Sequence, residues 1–292
     1  MSLGTVITKI ALDDVAPITF AWLSVAVGMV LLTVYTFVIR GERIPPDLTR
    51  QIWTYIIIIG VFNFVIGRIT MTLSLERLPA TTNTYLVNFI GFITMGMSIF
   101  MLKESPTVFQ VLGAVVAIIG LRIFFDQPPT GYELVGIILI LIGITAVAYT
   151  NNIARKLGIV TENKVSNNIV STLALLIGGG LLVIIGLVVD GVPRVTGLGN
   201  WGAIVYAGIF MVAFGLTVWN HILRILRSYE ASILGASTVI WTALLAIPIL
   251  GERLSLNEVV GMVLMLAGLA LVQVRRGKFS TLWQQLRLGV GG

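Results

Sequence analysis

Long charge-free apolar runs, parted by short breaks of charged residues, proline and glycine, recur along the whole chain. Ile18 to Ile39 is one of them, and an apolar run of roughly 18 or more residues reads as a helix that crosses a bilayer. Dividing the chain at its breaks predicts a short first helix, Met1–Leu12, and nine spans after it. These lie at Ile18–Ile39, Ile52–Leu73, Ala80–Met101, Val108–Phe125, Tyr132–Tyr149, Asn167–Val189, Ala203–Leu226, Ala231–Leu250 and Val259–Val274. The connections are short, the longest running from about Arg155 to Lys164.

Capping chemistry predicts two helix starts. Ser255-Leu256-Asn257-Glu258 has the form of a capping box, in which a hydroxyl and a carboxylate three residues on satisfy free backbone N–H groups, and it moves the start of the last span back to Ser255. Ser105-Pro106 reads as a cap followed by proline at the first helical position, where the missing N–H costs nothing.

The two starts occupy matching places, and a repeat follows from them. At an offset of 148 residues Glu104 falls on Glu252, Val111 on Val259, Gly113 on Gly261 and Gly120-Leu121 on Gly268-Leu269. The chain therefore divides into a first repeat, 1–125, a second, 132–274, and a basic cytoplasmic tail, 275–292. Five spans per repeat is an odd number, so the second half is inverted in the membrane, a plan common in transporters. The expected fold is an all-α polytopic membrane protein of two inverted five-helix repeats, with ten helices.

Composition agrees. Of 292 residues 57% are hydrophobic and 11% charged, against about 25% charged in a soluble domain. The net charge of +6 belongs to residues flanking the spans. With the repeats inverted, most of the 19 basic residues fall on one side, which makes that side and the C-terminus cytoplasmic. No nucleic-acid partner is expected; the partners are the lipid bilayer and a small-molecule substrate, with a homodimer left open. The chain has no cysteine and a single histidine, which excludes disulfides, thiolate chemistry and multi-histidine metal sites, and no cofactor or metal is expected.

Ser228-Tyr-Glu-Ala-Ser232, an apolar span ending Ile249-Leu-Gly-Glu252, and then Gly261 and Gly268 resemble the second half of an EamA-type member of the drug/metabolite transporter superfamily. Leu78-Pro-Ala80, Lys103-Glu104, Gly113 and Gly120 repeat the pattern in the first half, and Gly4 to Leu12 is similar to the end of that family's first helix. The resemblance covers nearly the whole chain. It implies ten helices, cytoplasmic termini, and a central cavity used for alternating access in the export or exchange of metabolites. Twelve residues reach about 18 Å against a hydrocarbon core of about 30 Å, so the first helix reads as incomplete at its N-terminus by about fifteen residues; the alternative is a genuine half-helix, whose backbone N–H groups need partners at membrane depth.

Arg68 is the sharpest candidate for function. It lies within a span, where an ionisable group is costly without water or a partner, and its planar fork suits a substrate carboxylate or phosphate. The alternative is snorkelling to the interface, which is the reading for Lys9 and Arg122. Thr81, Thr84, Tyr85 and Asn88 form a polar face on the Ala80–Met101 span, and Ser232, Ser237, Thr238, Trp241 and Thr242 answer them in the second half. Tyr85, Asn88 and Trp241, together with Trp219, Asn220 and Asn151, are the further substrate-binding candidates. His221 sits three residues before Arg224 and reads as interfacial. Glu104 and Glu252 read as structural residues at helix ends. The seven-residue glycine pairs read as helix packing, and Gly178, Gly179 and Gly180 as a hinge.

No Asp or Glu falls mid-span, which disfavours proton exchange against a cationic drug, and a sugar-phosphate exchanger would want clustered cavity cations. A neutral or zwitterionic metabolite such as an amino acid fits best. A membrane-embedded lipid-modifying enzyme is the rival class, but no paired carboxylates, histidine cluster or nucleophile with its base is visible, so catalytic residues are not expected.

Overall fold

The computed structural model describes residues 1–46, 48–103, 105–162, 165–218 and 235–272. Among them, ten helices follow in order: α1 (Ser2–Ala11), α2 (Pro17–Ile39), α3 (Arg50–Arg77), α4 (Ala80–Met101), α5 (Val108–Phe124), α6 (Gly131–Val160), α7 (Asn167–Val189), α8 (Leu198–Val218), α9 (Thr238–Leu250) and α10 (Leu256–Val272). Six of these are long and apolar enough to cross a bilayer, and α1, α5, α9 and α10 are shorter apolar helices. The protein is an all-α, multi-pass membrane protein.

The expected ends hold for α4 and α7, while α6 continues well past Tyr149 to Val160. The polar stretch after Tyr149 stays helical because it still presents buried Ile153 and Leu157, four residues apart, to the core. Asn152 also donates back to the Ala148 carbonyl at 3.1 Å. At 30 residues α6 is about 45 Å long, enough to project beyond the hydrocarbon.

The cap at Ser255 forms as expected: its hydroxyl accepts from Glu258 N–H at 3.2 Å, and the Glu258 carboxylate accepts from Ser255 N–H at 2.7 Å. The start of α5 needs correcting. Its cap is Thr107, not Ser105, because Thr107 and Gln110 complete the reciprocal pair of bonds that Ser105-Pro106 cannot. Thr107 and Gln110 lie 148 residues before Ser255 and Glu258, so the two boxes are equivalent positions of the repeat. Thr107→Ala and Ser255→Ala are each expected to cost about 1 kcal/mol of stability, with near-equal shifts in thermal unfolding of the detergent-solubilised chain.

Packing follows the same offset. Helices α5 and α10 cross with Gly113 against the Gly268 backbone and Gly120 against that of Gly261. Numbers that rise along one helix fall along the other, so the crossing is antiparallel and maps onto itself under the 148-residue shift. Side chains at these glycines would collide with backbone, and small residues are what let membrane helices pack this closely.

Two π-helical turns repeat the relationship, Gly60–Gly67 in α3 and Ala207–Ala213 in α8. Helix α7 lies on the first, Gly178 meeting the Gly60 carbonyl, and α2 lies on the second, Gly28 meeting the Gly208 carbonyl. Helix α2 is tied to α7 by two further bonds of equivalent kind. Thr19 donates to Asp190 at 2.7 Å, and Asn168 donates to Glu42 at 2.7 Å. Glu42 and Asp190 are again 148 residues apart. The packing symmetry is the one an inverted repeat requires.

Candidate functional site

The π-helical turn of α3 ends at Gly67, and Arg68 is the residue that follows it. Single π turns inside helices recur at functional sites, where they redirect the side chains around them. Arg68 stands nine residues before the end of α3 at Arg77, about 14 Å along the axis, which places it inside the span. Its Nη2 donates to the Ser24 hydroxyl of α2 at 2.9 Å, and Ser24, fully buried, donates in turn to the Ala21 carbonyl at 3.0 Å. Its Nε is buried with no hydrogen-bond partner, and among the described residues no carboxylate pairs with the guanidinium. A planar cation is thus held from one side by a hydroxyl with part of its donor fork unspent. That arrangement can receive an anionic oxygen pair.

Among the described residues, the other sequence candidates do not gather around it. Tyr85 is wholly buried, stacked on Phe124 with ring centroids 3.9 Å apart and edge-on to Phe89. It packs α4 against α5. Asn88 ends the first segment of α4 and turns its amide back to the Thr84 carbonyl at 2.8 Å. The chain makes a turn at Asn88–Phe89 before α4 resumes, and Ser237 is a turn residue just before α9 in the second half. Asn151 is exposed on α6 and reaches Thr94 of α4 at 3.4 Å. Its neighbour Asn152 is buried and donates to the Thr94 carbonyl at 3.0 Å. Trp241 is 59% exposed on the surface of α9. Trp219, Asn220, His221 and Ser232 lie outside the described residues, as does Glu104.

Within the glycine triplet, Gly178 is the crossing point on Gly60, Gly179 rests on Val25, and Gly180 faces open space. The triplet therefore includes a close helix contact, with freedom left only at Gly180.

A separate apolar cavity of about 630 Å³ lies between α3, α4 and α6. Phe62, Ile66, Met97, Leu141 and Tyr149 are among its walls, and the Phe62 and Tyr149 rings stand 5.1 Å apart.

Three residues join the site and its frame without being among the sequence candidates. Ser24 orients Arg68 and carries no local signal, being one hydroxyl in an apolar run. Glu42 and Asp190 fasten α2 to α7, and their 148-residue spacing is the signal that marks them. Ser24→Ala is expected to cost about 1.5–3 kcal/mol of stability, because the guanidinium loses the hydroxyl that holds its Nη2. The melting temperature of the detergent-solubilised chain checks this.

Comparison with known proteins agrees with this architecture. A solved structure, described only as a crystal structure of protein, superposes with a TM-score of 0.66 over 93% of this chain and 94% of its own, at 16% identity, a likeness of fold. An "uncharacterized transporter" of Archaeoglobus fulgidus is 23% identical over 270 residues, covering 92% of each chain. Another "uncharacterized transporter", of Clostridium kluyveri, is 26% identical over 234 residues, 76% of this chain and 72% of its own. The model of the EamA-like transporter family matches residues 1–125 and again 134–274, so that two successive matches account for almost the whole length. The chain belongs to the EamA-like transporter family.

Proposed function

We propose that this membrane transporter exports a small polar metabolite bearing a carboxylate, an amino acid or related compound, by alternating access. The two bodies that move are the halves 1–125 and 132–274, and the tail 275–292 lies in the cytoplasm beneath a bacterial inner or plasma membrane. The observation that carries the substrate class is the partly unspent donor fork of Arg68, held inside a span without a carboxylate among the described residues. A lone cation at that depth costs about 2.5–3.5 kcal/mol, and an anionic ligand offsets that cost. The matched crossings of α2 on α8 and α7 on α3 support two equivalent bodies around a shared axis. Counterflow in proteoliposomes tests the proposal: preloading with one unlabelled amino acid at a time is expected to drive saturable uptake of its labelled form. Absence of saturable counterflow for every amino acid overturns the substrate class.

A further inference from the structure

At the corner between α3 and α4 two charged side chains from distant parts of the chain hold the two helix ends. Lys9, in the last turn of α1, donates to the Leu75 carbonyl at 2.8 Å and to the Glu76 carbonyl at 2.9 Å, at the C-terminal end of α3. Glu252, in the turn between α9 and α10, accepts from Ala80 N–H at 2.5 Å and from Thr81 N–H at 3.1 Å, at the N-terminal end of α4. Each charge meets the helix end whose dipole and free backbone groups attract it. The contacts of Glu252 cross the repeat boundary, since Glu252 belongs to the second half and α4 to the first, whereas those of Lys9 tie α1 to α3 within the first half. Val6, Ala11, Leu75, Ala80 and Ala246, from the same helices, belong to one buried apolar cluster.

We infer that Lys9 and Glu252 form a gate latch, in which Lys9 fixes α1 on the end of α3 and Glu252 fixes the α9–α10 turn on the start of α4, and which must release before this face of the transporter opens. The two bonds made by Glu252 join the halves at the membrane surface, where water can replace them once the halves separate. Each bond is charge-assisted, strong enough to bias a two-state equilibrium and weak enough to break in a transport cycle. The inference rests on the transporter reading, but not on the substrate.

The chain has no cysteine, so a single introduced thiol reports locally. Ala246→Cys places one in that buried cluster, six residues before Glu252, and Ala148→Cys places one in the buried face of α6 as a remote control. The test follows the reaction of each thiol with a water-soluble maleimide in the detergent-solubilised full chain, with no substrate required. Glu252→Ala, Glu252→Gln and Lys9→Met are each introduced beside each reporter. Labelling at residue 246 is expected to rise by about tenfold or more with Glu252→Ala or Lys9→Met, and less with Glu252→Gln, which keeps one acceptor oxygen. Labelling at residue 148 stays unchanged. Equal labelling at 246 in folded variants and in the original overturns the latch, and so does a parallel rise at 148, which reports loosening of the whole bundle. If Glu252→Ala does not fold, Glu252→Gln and Lys9→Met decide by the same criteria. Missing counterflow with faster labelling at 246 removes the substrate class and leaves the latch standing.

Discussion

Arg68→Ala is expected to lower the apparent affinity for a carboxylate-bearing substrate by about 10- to 100-fold, the effect of losing one or two charge-assisted hydrogen bonds in a site with little water. The loss arises because Ser24 fixes only Nη2 and leaves buried Nε without a protein partner. Arg68→Lys keeps the charge but gives up the planar fork, and lysine's shorter reach loses the Ser24 bond; an intermediate affinity follows. The concentration dependence of counterflow separates the three. Because no carboxylate among the described residues pairs with Arg68, removing the cation strands no buried anion there, and the variant is expected to fold.

The largest effect on stability belongs to the crossing of α7 on the π-helical turn of α3. Gly178 meets the backbone of Gly60 with no side chain between them, whereas Gly180, two residues along the same helix, has nothing within 4 Å of where a Cβ would stand. Gly178→Leu therefore forces two helix backbones apart. It is expected to cost at least the 1–3 kcal/mol or so typical of overpacking, and to abolish a monodisperse solubilised protein. Gly180→Leu is expected to be tolerated within about 1 kcal/mol, since its side chain enters open space. Thermal unfolding and elution profile distinguish them. Equal behaviour of the two variants contradicts the crossing.

Much of this architecture is legible in the sequence. Charge-free runs mark the helices, and the offset at Gly113, Gly120, Gly261 and Gly268 marks the repeat, because close helix crossings demand small residues at fixed spacing. The cap of α5 is harder to place, because a serine before proline is a local signal as good as threonine three residues before glutamine; only the offset from Ser255 discriminates them. The end of α6 is hidden because Asn151 and Asn152 look like a polar break. Their amides are satisfied on α4 and on their own helix, which a one-dimensional reading cannot see.

Of the candidate site only Arg68 is legible, because its depth in a span is a sequence property. Tyr85 looks like a polar group facing a cavity, yet its ring stacks on Phe124 from another helix, and aromatic partners across helices leave no local trace. Lys9 reads as interfacial and Glu252 as structural when each is taken alone. Their meeting at the α3–α4 corner depends on α1, α9 and α10 converging there, a consequence of the fold and not of any single segment.

Carboxylate recognition by Arg68 is tested most directly with two solutes that differ only by that group, an amino acid and the amine it becomes on losing it. Each is followed in counterflow with the original chain and with Arg68→Ala. Saturable counterflow of the amino acid by the original chain is expected, with little of the amine, and a preference that collapses in Arg68→Ala. Equal transport of both solutes by the original chain, unchanged in Arg68→Ala, contradicts that role.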